Sequence, residues 1–216
     1  MGKSIKMAPH SGKTDTMDSV TRAGHRQISF LSKQEVEALF AAIPREATRD
    51  QLLFEMIYRH GLRRLEAALI RRDWITDSIW IQRVKGGVSG EYPIHPRTRR
   101  LLWAWLNARG EDDNPYLFTS RQSGRRPLSA STVYGLFIRY ATAAGIPAER
   151  QHPHVLRHSI ATHLLDAGWD ISDVQDWIGH REIASTQVYA KITNKRREAR
   201  YEESLLSDAL AANNGS

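Results

Sequence analysis

The sequence carries one dense run of chemistry-bearing side chains, His154-Val155-Leu156-Arg157-His158, followed downstream by Gly179-His180 and Val188-Tyr189. A helix would place His154 and Arg157 one turn apart on the same face, so both side chains reach one ligand. A guanidinium offers a planar fork of donors that matches two phosphate oxygens, which an ammonium cannot imitate. A neighbouring imidazole can donate to the same phosphate or move a proton. The phenol of Tyr189 titrates at about 10 when free and becomes a nucleophile only among bases and cations. Two imidazoles, a guanidinium and a phenol together describe a device that grips a phosphodiester and attacks it through a tyrosine hydroxyl.

Two further candidates lie upstream. Arg63, in His60-Gly61-Leu62-Arg63, follows a helix-ending glycine and precedes Glu66, whose carboxylate can orient a guanidinium. Lys85 stands on a Gly-rich turn between two strands, where a cation can enter a groove or serve as a proton donor. Taken singly, each of these residues also suits an ordinary surface, capping or core role. A metal site built on His154, His158 and His163 lacks a cysteine or a matching carboxylate, and His163 points to the buried side of its helix, so no metal is expected.

Composition fits such chemistry. The 216 residues carry a net charge of +7, which favours a polyanionic partner, and 41% hydrophobic residues suffice for a core. The absence of cysteine excludes disulfides and thiolate metal sites and fits a reducing cytoplasm. No run approaches the roughly 18 apolar residues of a membrane span, and the polar N-terminus lacks a secretory signal.

The elements that must position these residues read as mostly helical. Residues 1–28 lack periodic apolar spacing and are expected to form a flexible basic arm. Ser32 with Glu35 predicts a capping box ahead of Val36, Leu39 and Phe40, and Pro44 closes that helix. A second helix is expected over 47–59 with Leu52, Leu53, Met56 and Ile57 inward and Gly61 as its stop, followed by a short helical piece at 65–70. Strands are predicted at 78–82 and 91–94 around the turn 85–90, with a third at Tyr116-Leu117-Phe118. Further helices are expected at 96–109, 129–144 and 153–167, the last with a buried stripe of Leu156, Ile160, Leu164 and Ala167 and Gly168 after its end. A basic final helix is expected over 194–210.

The order and spacing of Arg63, Lys85, His154-x-x-Arg157, Gly179-His180 and Tyr189 resemble the active-site set of the tyrosine recombinases, the phage-integrase family. The similarity spans about Ser29 to Thr193, and the segments His154–Gly168 and Val174–His180 are its most specific parts. The resemblance implies a mainly α fold with a small antiparallel β-sheet (α+β), a catalytic domain over 29–193 and a tail over 194–216. It implies a site-specific recombinase that cuts and rejoins DNA through a 3′-phosphotyrosyl link and needs no cofactor. By that resemblance Arg63 and Arg157 clamp the scissile phosphate, and Lys85 protonates the 5′-oxygen leaving group. His154 handles a proton, His180 donates to the phosphate and Tyr189 attacks phosphorus.

The partners implied are double-stranded DNA with specific recombination sites, a homotetramer on synapsed DNA and accessory DNA-bending proteins, in the cytoplasm at the nucleoid. Candidate phosphate contacts are Arg71, Arg72, Arg97, Arg99, Arg100, Arg121, Arg125 and Arg126. Leu205, Leu206 and Leu210 of the tail offer a face that docks on a neighbouring protomer or folds back on its own domain. The rival readings are a type IB topoisomerase-like relaxing enzyme and a non-catalytic DNA-binding regulator that kept the fold.

The sequence departs from the family pattern in two places. Family members typically carry an N-terminal helical domain, whereas only residues 1–28 precede the module here, as expected of a naturally short or a trimmed member. The hairpin reads Lys85-Gly86-Gly87 without the usual second lysine. The short form, His60-Gly61-Leu62-Arg63, Arg83-Val84-Lys85-Gly86 and His152-Pro153-His154 resemble the fimbrial phase-variation invertases.

Overall fold

Local signals in the sequence set where the helices begin and end. A computed structural model describes residues 29–84, 86–120 and 126–179. Ser32 accepts from the Glu35 amide at 3.1 Å while Glu35 accepts from the Ser32 amide at 2.8 Å, the expected capping box of α1 (Lys33–Ala41). Helix α2 (Thr48–Arg59) ends on His60, and Gly61 takes the left-handed conformation at φ +56° that reverses the chain. The short α3 (Arg64–Ala68) follows at once.

Strands β1 (Ser78–Ile81) and β2 (Gly90–Pro93) form a two-stranded antiparallel sheet, with Ile79 opposite Tyr92. Helices α4 (Pro96–Arg109), α5 (Ala130–Ala143), α6 (His154–Asp166) and α7 (Ile171–Ile178) complete the described fold. The result is the mainly helical α+β architecture that the spacing predicts.

Helix α2 is the centre of the core. It packs on α4, α6 and α3 and buries every residue from Leu52 to Tyr58. Helix α6 is almost as deeply set. Val155, Leu156, Ile160 and Ala161 are buried, and so are the polar Arg157, Ser159, Thr162 and His163. Each described polar contact there is internal: the Leu31 amide donates to Ser159 Oγ at 2.8 Å, and Tyr58 Oη meets His163 Nδ1 at 2.8 Å. His163 is therefore a core histidine, as its place on the helix predicts.

Two expectations fail. Tyr116-Leu117-Phe118 does not extend into a strand: it makes only isolated antiparallel bridges, Tyr116 with Arg71 and the adjoining Thr119 with Pro127. In them the Leu117 amide donates to the Ile70 carbonyl and the Leu128 amide to that of Phe118, each at 2.7 Å. Leu117 and Phe118 are fully buried, so an apolar run that reads as a strand serves as a core plug between two loops. The buried stripe of α6 also differs, since Ala167 is exposed as the C-cap and Leu164 is half-buried. Partners on several sides, not one face, bury this helix.

Candidate active site

Three segments distant in sequence meet beside the first turn of α6. The turn after α2 delivers Arg63, which stands as the N-cap of α3. Glu66, one turn into α3, accepts from Arg63 twice: from its amide at 2.9 Å and from Nη1 at 2.7 Å. The carboxylate that the sequence proposes as an orienter thus holds both ends of Arg63. The guanidinium remains partly open, with 23% of the side chain exposed, so it can meet a ligand.

Arg157 reaches the same turn from α6. Its side chain is 1% exposed, and its Nη1 donates to the Gly61 carbonyl. His154, at the head of the same helix, is solvent-accessible and stands edge-on to His158 with ring centroids 5.0 Å apart. Arg63, Val84, Tyr134, His152 and His154 line one cleft of about 380 Å³. A larger cleft of about 560 Å³, bordered by Arg49, Asp50, Arg139 and Tyr140, contains none of the described candidate residues. Among the described residues the smaller cleft is therefore the candidate site.

Electrostatics set the protonation states. Burial alone would raise the Glu66 pKa, but the Arg63 amide, the Arg83 guanidinium, the Arg63 side chain and the Val84 amide together hold it below the usual carboxylate value. Glu66 is ionised. His154 keeps a solvent-facing side, yet desolvation first, and then the guanidinium groups of Arg157 and Arg63, push its pKa down to about 4. At neutral pH its imidazole is uncharged and can accept a proton.

The shift has a consequence for stability. In the unfolded chain His154 titrates near 6.5, so between 6.5 and about 4 the unfolded state binds a proton that the folded state refuses. Its contribution is complete above 6.5 and is lost as the pH falls towards 4. His154→Asn is expected to flatten the decline in melting temperature across that window; an identical decline in both proteins would show that the ring is not held neutral.

Arg63, His154 and Arg157 are brought together. Lys85, His180 and Tyr189 lie outside the described residues, as do Arg121, Arg125, Leu205, Leu206 and Leu210. Of the other arginines expected at phosphates, Arg71, Arg97 and Arg99 pair with Asp73, Glu55 and Asp77 respectively, and Arg72 donates to the Asp112 carbonyl. Those internal acceptors compete with a phosphate for the same donors.

One buried cation belongs to the site although sequence reasoning assigned it no role. Arg83 donates to Glu66 Oε2 at 3.2 Å, to the His60 carbonyl at 2.9 Å and to the Trp177 carbonyl at 2.8 Å. The signal was present. Ile79, Ile81 and Arg83 alternate inward along β1 and its extension, so the period of the strand directs Arg83 to the core.

The phage integrase family profile matches residues 29–196. Tyrosine recombinase XerA of Pyrococcus furiosus is 35% identical over 183 residues, covering 83% of this chain and 63% of its own length. The chain thus spans a little under two thirds of that relative. A crystal structure of XerA recombinase superposes with a TM-score of 0.70 at 27% identity, covering 81% of this chain and 64% of that one. The XerH site-specific recombinase, bound to a palindromic difH substrate in a post-cleavage complex, gives a TM-score of 0.72 at 24% identity. It covers 84% of this chain and 54% of its own and bears on the fold alone.

Proposed function

The chain belongs to the phage integrase family, and we propose that it is a site-specific DNA recombinase that cuts and rejoins strands through Tyr189. The observation that carries the reading is the convergence of Arg63 and Arg157 on the turn at Gly61, beside a neutral His154 in an open cleft. Two fixed guanidinium groups suit a phosphodiester whose non-bridging oxygens gain charge in the transition state.

In the proposed reaction the Tyr189 hydroxyl oxygen attacks the scissile phosphorus. The bond from phosphorus to the tyrosine oxygen forms as the bond to the 5′-oxygen breaks. His154 takes the phenol proton, and Lys85 gives one to the departing 5′-oxygen. Arg63, Arg157 and His180 hold the non-bridging oxygens throughout. The 3′-phosphotyrosyl link conserves the bond energy, so a 5′-hydroxyl from a second strand reverses the step without a nucleotide cofactor.

Synapsis of double-stranded sites by four protomers, with accessory DNA-bending proteins, is the assembly we propose. The outcome, inversion or integration and excision, is set by how the sites are placed in the DNA, and the resemblance of several motifs to the short fimbrial invertases does not choose between them. The net charge of +7 lends support to a DNA partner.

Covalent capture tests the reading. The chain is incubated with duplexes carrying randomised sequence around a nick, placed so that the short 5′-hydroxyl fragment is lost after cleavage. A protein–DNA adduct that survives detergent and enriches one sequence is expected. No adduct anywhere in the pool would overturn the enzyme reading. Relaxation of supercoiled plasmid lacking the selected site would point to a relaxing enzyme.

A further inference from the structure

We propose that Arg83 is a positioning residue, which sets the end of the β1–β2 hairpin against the Arg63 turn and the end of α7 so that strand cleavage depends on it. The proposal rests on the strand-cleaving reading above. Arg83 has no exposed side-chain surface. Its Nη1 faces Glu66 Oε2 and, at 3.4 Å, the Gly61 carbonyl, while its Nη2 takes the carbonyls of His60 and Trp177. The Arg83 amide donates to Ser89 Oγ at 2.9 Å, which closes the hairpin on itself. The guanidinium carbon lies 5.2 Å from the Tyr92 ring centre.

Each acceptor lies close in the chain to a residue of the proposed machinery. His60 and Gly61 precede Arg63, Trp177 precedes His180, and Arg83 itself is two residues from Lys85. Glu66 completes the link, because Oε1 accepts from Arg63 Nη1 and from the Val84 amide at 3.2 Å. One carboxylate thereby receives the arginine turn and the hairpin together.

The fit leaves no slack. A β-carbon at Gly179, where φ is +65°, would lie 2.7 Å from Arg83 Nε, and one at Gly87 would lie 2.9 Å from the Gly179 carbonyl. A buried guanidinium is a costly way to fill space, since an apolar side chain of similar volume does so without desolvating a charge. Its planar fork does what an apolar group cannot: it fixes several backbone segments at once.

The test uses the full chain and the duplex enriched by covalent capture. Arg83→Lys keeps the charge but cannot span the four acceptors. Its adduct formation is expected to fall about 10²-fold, as small misplacements at a reacting centre do. Its affinity for the duplex should stay within about threefold, since no phosphate contact is removed. A duplex with sulfur in place of the leaving 5′-oxygen needs no proton donor, because a thiolate departs unprotonated. On it Arg83→Lys should return to within about tenfold of the native rate, as should Lys85→Ala.

Native-like cleavage by Arg83→Lys, parallel loss of binding and cleavage, or no recovery on sulfur where Lys85→Ala does recover would each overturn the proposal. If Lys85→Ala also fails to recover, the acid assignment is what falls, and Arg83 is judged on its loss of rate at unchanged affinity. Should Arg83→Lys not fold, the pair Arg83→Met with Glu66→Gln removes both buried charges together and is held to the same split between rate and affinity. A native chain that forms no adduct refutes the function and not the geometry.

Discussion

Tyr189→Phe is expected to abolish the covalent adduct, with the rate falling by more than about 10⁴-fold, while affinity for the captured duplex changes by less than about twofold. The change removes one oxygen and leaves the ring. On the proposed reading, binding rests on phosphate contacts spread over many basic groups, so it should scarcely notice. Catalysis depends on that oxygen alone, because no bond to phosphorus forms without it. The measurement is the yield of detergent-resistant adduct beside a mobility-shift titration. An adduct from Tyr189→Phe would transfer the nucleophile to another residue and remove Tyr189 from the mechanism.

The second large effect is at Arg157. Arg157→Lys is expected to slow cleavage by about 10² to 10³-fold, the usual cost of losing one fixed donor to a developing oxyanion. The positive charge survives, so charge alone is not what the substitution tests. What it removes is the planar fork and the bond from Nη1 to the Gly61 carbonyl. Stability should fall by about 1.5 to 3 kcal/mol, the worth of a hydrogen bond made by a charged donor. A rate loss below tenfold would make Arg157 a strut between α6 and the Gly61 turn, with no part in gripping phosphate. Sulfur in the leaving group should not rescue Arg157→Lys, which separates it from Arg83→Lys.

The helices were legible because their signals are local. Ser32 and Glu35 meet across one turn, and Gly61 supplies a positive φ that other residues resist. Spacing likewise put Glu66 within reach of Arg63. Where partners come from afar, the same reasoning fell short. Leu117 and Phe118 look like a strand because strands and core plugs share a composition, and only the loops on either side decide which it is. Helix α6 looks amphipathic, yet neighbours beyond the single stripe bury Ser159, Thr162 and His163.

Short-range periodicity by itself determined the mainly helical class, and residue order and spacing carried the family resemblance that nominates the six candidate groups. Tertiary packing alone decided how two of them stand. It turned Arg157 inward onto the Gly61 carbonyl and depressed the His154 pKa, by burial first and then by the Arg157 and Arg63 guanidinium groups, and it made Glu66 and Arg83 the joint of hairpin, turn and helix end. The reason is distance along the chain: Gly61 and Arg157, or Arg83 and Trp177, share no turn or strand. Their contact exists only because the core between them folds to one shape.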